Sequence, residues 1–396
     1  TCIRQTSATK TDDKNNRKQH NTRNPMESEK TKTTCLNAAH RALGAEMVPF
    51  GGFDMPLYYT DIESEHRAVR TACGVFDVSH MGEVMVSGED AMRFVNHIFT
   101  GDVSTLAVGD VVYGMMLHDN GGTVDDLLVY RIGAEAYLLV INASNIDKDV
   151  AHIRAQAAEF SGVRIEDISD TTAQLAVQGP DSPRIMAQVL DLAESNDLRF
   201  YTCREFHRNG HEILVSRTGY TGEDGFEIYG PQDAIIEMWN RLVAAGVTPC
   251  GLGCRDTLRF EAGLPLYGDE LGDDISPIMA GLSMFVKIDK DGGFMGRDAV
   301  ARQKAEGVKR RLVGLEIQGP AIARHGYEVL DADDPEKVIG TISTGYHSIT
   351  LGTNLAMAFI DRDHAALGTH VLVRVRRKTF PATVVKKRFY TPNYKK

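Results

Sequence analysis

Residues 217–229, Arg-Thr-Gly-Tyr-Thr-Gly-Glu-Asp-Gly-Phe-Glu-Ile-Tyr, constrain the fold more than any other stretch of the chain. Gly219, Gly222 and Gly225 recur at spacing three around the acids Glu223 and Asp224. Glycine lacks a Cβ, so this backbone can turn sharply and come close to another surface. The flanking runs His-Glu-Ile-Leu-Val-Ser and Phe-Glu-Ile-Tyr have strand composition. A tight loop between two strands can hold a carboxylate in a fixed place, although an ordinary polar turn has the same composition.

At 396 residues the chain exceeds a single typical core and implies two or three domains. Hydrophobic residues make up 42% and charged residues 25%, in the range of globular proteins. No apolar run approaches the roughly 18 residues of a membrane span. The net charge of −10 disfavours bulk electrostatic attraction to nucleic acid. Six cysteines occur without a C-x-x-C pair, which suits a reducing compartment. Cys250 and Cys254 lack a partner pair at zinc spacing, so buried thiols explain them better than a metal.

Residues 1–34 hold eight of the 44 Lys and Arg and four of the 54 Asp and Glu, leaving 36 basic against 50 acidic beyond them. With so few large apolar side chains this segment is expected to be disordered. Asp12, Asp13, Glu27 and Glu29 are unlike a transit peptide, and Met26 is an alternative start.

From residue 35 onward helices and strands mix without the regular alternation of a doubly wound sheet. Helical spacing marks 61–72, 89–99, 146–160 and 231–246. A hairpin is expected from strands 111–117 and 123–131 around His-Asp-Asn-Gly-Gly, followed by a strand over 137–142. After residue 303 short β-like runs dominate, at 311–317, 337–343, 355–360, 371–375 and 382–386. The fold class is therefore α+β with mainly antiparallel sheets, closed by a C-terminal β-barrel or jelly roll. P-loop, H-E-x-x-H and G-x-S-x-G motifs are missing, and Gly251-Leu-Gly253 lacks the third glycine of a dinucleotide fingerprint.

Three other segments carry chemistry. In 123–130, Thr-Val-Asp-Asp-Leu-Leu-Val-Tyr, both faces are apolar beyond the acids, so one aspartate must point into the interior or a cavity. A buried carboxylate needs a partner, and a ligand is one possibility; capping the turn is the other. A five-residue turn would set Asp126 opposite Gly114, where a missing side chain leaves room. In 253–263, Arg255 and Arg259 share a helix face that reads as solvated. From Arg374 onward there are nine Lys or Arg and no acid, interleaved with aromatics, which suggests an anionic partner.

Taken together, these segments resemble the aminomethyltransferase family, the T-protein of the glycine cleavage system. The matching motifs are Phe50-Gly-Gly-Phe-Asp-Met-Pro, Gly74-Val-Phe-Asp-Val-Ser-His-Met-Gly, 121–129, Val140-Ile-Asn-Ala-Ser-Asn, 219–225, 255–263 and Thr391-Pro-Asn-Tyr394. They run in order through nearly all of 35–396.

The resemblance implies a three-domain cloverleaf: 35–80 with 167–273, 81–166 with 274–302, and 303–396. It implies a central tetrahydrofolate pocket and no metal. The implied reaction takes the aminomethyl group from the lipoyl arm of H-protein, releases ammonia, and forms 5,10-methylenetetrahydrofolate and dihydrolipoyl H-protein. Asp126 would be the catalytic carboxylate and Glu223 the acceptor of paired pterin N–H groups. Arg255 and Tyr394 would contact substrate, Tyr113 and Asn142 would line the pocket, and Arg377 (or Arg376) would meet the folate glutamate tail. The compartment implied is the cytoplasm of a bacterium, or the mitochondrial matrix of a eukaryote. Two other readings share the resemblance: a non-enzymatic folate-binding module, and a folate domain related to demethylating oxidases. The presence of both Asp126 and Glu223 favours the enzyme.

Overall fold

The computed structural model describes residues 31–391. Two larger, mainly antiparallel sheets, a two-stranded sheet of Glu46–Phe50 and Phe53–Tyr58, and a closed barrel organise them. The first sheet has six strands in the order Cys203–Arg208, His211–Ser216, Gly225–Pro231, Thr172–Gln178, Gly74–Asp77 and Thr248–Pro249. Only its last pairing is parallel. Helix Gln232–Ala244 covers one face and buries Trp239 against Leu175, Phe226 and Ile228. That helix starts after Pro231 and stops before Gly246 at φ 83°, a Pro-start and Gly-stop pattern.

The second sheet has five strands in the order Val111–Leu117, Thr123–Gly133, Ala136–Ile141, Gly82–Ser87 and Arg164–Asp167. Helices Ala91–Ile98 and Ile146–Ala157 pack on it through Phe94, Val95, Val150 and Ile153. The barrel closes six strands between 310 and 385, with Lys378–Val385 pairing back to Arg310–Ile317. One of its strands, Glu328–Asp331, has too short a run to stand out in the sequence.

Two expectations need correcting. Residues 32–34 belong to the folded part: Lys32 exchanges backbone hydrogen bonds with Gly52 and Asp54, and buried Thr34 donates to Asp77 at 2.6 Å. In the hairpin, Asp126 lies opposite Met115, not Gly114. A bulge sets Met116 opposite Asp125 and Leu117 opposite Thr123, so Val124 is the extra residue. The space beside Gly114 belongs to Phe99, whose ring would lie 2.6 Å from an added Cβ.

Candidate active site

The two sheets meet face to face through Val111, Tyr130, Leu138 and Val140 on one side and Cys203 and Tyr229 on the other. Where side chains no longer fill this interface a cavity of about 290 Å³ opens. Strand alternation selects what faces it. Asp126 and Leu128 come from one strand, Val140 from the next and Asn142 from just past its end, and Glu227 and Tyr229 from the opposing sheet. Helix Leu252–Ala262 adds Arg255, and the segment after the barrel adds Lys387 and Arg388.

Asp126 is held from two sides. Tyr113 is paired with Leu128 across the hairpin, so its hydroxyl reaches diagonally to donate to Asp126 Oδ2 at 2.8 Å. Asn142 Nδ2 donates to Asp126 Oδ1 at 3.1 Å and to the Asp126 carbonyl at 3.0 Å. Burial, and then the charge of Asp125, push the Asp126 carboxyl up to about 7.

Asp125 points to the other face, where it accepts from Asn142 N at 2.9 Å and from Asn145 Nδ2 at 2.7 Å. It thereby braces the start of helix Ile146–Ala157. Asp149, in the first turn of that helix, is fully buried, and among the described residues no donor comes within hydrogen-bond reach of either of its oxygens. Burial and the nearby Asp125 hold its carboxyl up to about 11, so it is neutral.

The opposite wall carries a second carboxylate. Glu227 accepts from Gln174 Nε2 at 3.1 Å and from Thr218 Oγ1 at 2.5 Å. Burial raises the pKa of its carboxyl above the ordinary carboxylate range. Each oxygen has two lone pairs, so Glu227 retains acceptor capacity toward a ligand. The Arg255 guanidinium lies 4.6 Å from the centre of the Tyr220 ring, and Tyr220 is fixed by donating to the Pro265 carbonyl. His80, 1% exposed, lines the same region; burial and the Arg255 charge hold it down to about 4, so its imidazole is neutral.

Of the residues expected at the site, Asp126, Tyr113, Asn142 and Arg255 line one cavity. Glu223 does not. It is buried outside the cavity lining, where Oε1 accepts from Arg70 Nη1 at 3.0 Å and from the Tyr390 hydroxyl at 2.7 Å. Glycine-loop geometry turns it away, and the next acid along the strand, Glu227, faces the cavity instead. The signal for Glu227 was an acid inside an otherwise apolar strand, the same signal that marked Asp126. Arg377 is exposed in the hairpin turn between His370–Val375 and Lys378–Val385, away from the cavity lining that Lys387 and Arg388 supply. Tyr394 lies outside the described residues.

The helix face expected to be solvated is not so. Arg259 is 1% exposed and is held by Asp256 at 2.6 Å and Glu270 at 2.8 Å. Among the described residues, Glu65, Cys250 and Cys254 bring potential metal-ligand atoms within 4.8 Å. The Glu65 oxygens already accept from the backbone N–H groups of Tyr59 and Gly251, at 2.6 and 2.9 Å. Burial raises the Cys250 thiol well above its ordinary value, which favours the protonated form over a thiolate ligand.

Residues 36–290 match the GCVT N-terminal domain, and residues 310–391 match the glycine cleavage T-protein C-terminal barrel domain. An aminomethyltransferase of Alkaliphilus oremlandii is 48% identical over 369 residues, covering 92% of this chain and 99% of that protein. An aminomethyltransferase of Bacillus subtilis is 47% identical over 363 residues, covering 91% of this chain and 99% of that protein. The crystal structure of glycine cleavage system aminomethyltransferase T from Bartonella henselae superposes with a TM-score of 0.87 at 30% identity. It covers 93% of this chain and 100% of that one. Matching along nearly the whole chain, in sequence and in fold, means that this protein belongs to the glycine cleavage T-protein family of aminomethyltransferases.

Proposed function

We infer that this protein is the aminomethyltransferase of a glycine cleavage system. It transfers the one-carbon unit of the aminomethyl group on lipoylated H-protein to tetrahydrofolate, releasing ammonia and dihydrolipoyl H-protein. The observation that carries this reading is the pairing, across one cavity, of Asp126 on one sheet with Glu227 and Arg255 on the opposing face. Tetrahydrofolate, as co-substrate, would lie between these walls.

Glu227, held by Gln174 and Thr218, would accept two adjacent pterin N–H donors in parallel. We assign it the role first expected of Glu223. Asp126, fixed by Tyr113 and Asn142, would face the folate amines that attack the methylene carbon. As an anion it stabilises the positive charge that develops there or takes up the proton that is lost. The low-dielectric walls strengthen that interaction relative to water. Lys387 and Arg388 provide cations for the folate glutamate carboxylates.

The free cysteines and the bacterial relatives favour a bacterial cytoplasm. Among the described residues, no helix is long and apolar enough to cross a membrane. Aminomethylated H-protein, supplied with and without tetrahydrofolate, tests the assignment through ammonia release. Rapid release only with tetrahydrofolate is expected; folate-independent release, or none, would overturn it.

A further inference from the structure

The last barrel strand ends at Val385, yet Lys387 and Arg388 line the cavity from a segment without regular secondary structure. Something outside the barrel ladder must hold that segment. Arg70, at the end of helix Ile62–Thr71, sits between two buried carboxylates. Its Nη1 donates to Glu223 at 3.0 Å and to the Thr221 carbonyl at 2.6 Å; its Nη2 reaches Glu261 at 3.1 Å. The flat face of the guanidinium lies 3.9 Å from the centre of the Tyr390 ring. The Tyr390 hydroxyl in turn donates to the same Glu223 oxygen at 2.7 Å.

The backbone joins in. Phe389 N and Tyr390 N both donate to the Glu261 carbonyl, at 3.0 and 2.7 Å. Ser348 Oγ, from beyond the barrel strand Val338–His347, donates to the Glu261 carboxylate at 2.6 Å. Gly222 and Gly263, with φ of 83° and 70°, let the segment come this close. A Cβ on Gly263 would lie 2.8 Å from Arg388 Cα.

We propose that Arg70, Glu223 and Tyr390 form a clamp that positions Lys387 and Arg388 at the cavity, so that Glu223 governs co-substrate affinity from outside the site. The proposal rests on the folate reading above, because an anionic co-substrate is what the two cations would meet. The three clamp residues are positioning residues; none of them lines the cavity. Breaking the clamp at one residue is costly, because it leaves a buried charge without its partner.

The test uses Tyr390→Phe, which removes only the hydroxyl, and Glu223→Gln, which keeps the shape. Each is measured alone and in an Arg388→Ala background, with tetrahydrofolate as the varied substrate. Tyr390→Phe should raise KM for tetrahydrofolate about tenfold, in line with one lost charge-assisted hydrogen bond. It should leave kcat within about twofold, as expected when only binding is weakened. In the Arg388→Ala background the same change should have a smaller effect, because the clamp acts partly through Arg388 and partly through Lys387. Hydrogen exchange at the Phe389 and Tyr390 amides should accelerate in both clamp variants. An equal effect with and without Arg388, a parallel fall in kcat, or unchanged amide exchange would overturn the clamp. A wild-type protein inactive with tetrahydrofolate would instead sink the functional reading, while amide exchange would still report on the clamp.

Discussion

Two pairs of neighbouring acids, Asp125–Asp126 and Glu223–Asp224, are equally prominent in the sequence and meet opposite fates in the fold. The first pair lies on a strand, so successive side chains point to opposite faces. One acid enters the cavity, and the other braces a helix start through Asn142 and Asn145. The second pair lies in a glycine-rich loop, where alternation does not apply. Both of its acids pair with arginines: Glu223 through Oε1 with Arg70 at 3.0 Å, its Oε2 having no partner among the described residues, and Asp224 with Arg217 at 2.5 Å. A carboxylate becomes available for chemistry when the local geometry gives it donors without neutralising its charge. Asp126 is held by a hydroxyl and an amide, which orient it and leave it free to meet a developing cation. Glu223 is matched to a guanidinium and has a mechanical task.

The largest test of this contrast is Asp126→Asn. It should lower kcat by about 10²–10⁴-fold while unfolding temperature and circular dichroism stay near wild type. Retention of full turnover would remove Asp126 from the reaction. Next, Glu227→Ala should weaken tetrahydrofolate binding about 10–100-fold, read by calorimetry, through loss of two charge-assisted hydrogen bonds. If Glu223→Gln proved more damaging than Glu227→Ala, the assignment of the two acids would have to be exchanged.

A pH profile sharpens the same comparison. The Asp126 carboxyl is raised to about 7, so below that pH it is protonated in the free enzyme. If the anion is the working form, kcat/KM falls about tenfold per pH unit on the acid side of 7. A profile flat down to pH 5 would count against this role. Substituting Asn142 by Ala removes one donor to Asp126 and should shift that limb upward, because hydrogen bonding to the anion is lost.

The smallest effect is expected at Asp149, behind the Asp pair. Its carboxyl is raised to about 11, so the folded state holds this proton more tightly than the unfolded chain does. Stability from this group is full at acid pH and declines as pH rises from about 4 toward 11. Asp149→Asn should therefore unfold at nearly the wild-type temperature at pH 5 and at a higher one at pH 9. A variant equally destabilised at both pH values would show that the carboxyl is needed for its shape or contacts instead.

Much of the framework was legible along the chain. Helix Gln232–Ala244 lay between a Pro start and a Gly stop, and the hairpin 111–133 lay around an Asn-Gly-Gly turn. Asp126, Tyr113, Asn142 and Arg255 were singled out and do line one cavity. The bulge at Val124 was not legible, because nothing in Gly-Thr-Val-Asp-Asp marks which residue loses its cross-strand partner. Arg259 looked solvated because helical spacing reports which residues share a face and is silent on what covers that face. Here Glu270 and the barrel residue Thr344 cover it.

The sequence by itself determined the local matters: the period of each element, the turn residues, the ordered motifs of the family, and the presence of acids in apolar strands. These depend on neighbours a few residues apart. Only the tertiary structure decided which acid belongs to the cavity. Glu223 meets Arg70 from 153 positions away and Tyr390 from 167 positions away, and no local pattern encodes such a pairing. The glycine loop was a correct sign that a carboxylate is held rigidly there. What it holds in place is the C-terminal segment, because packing brought Arg70 and Tyr390 to Glu223 and left the opposing face of the cavity to Glu227.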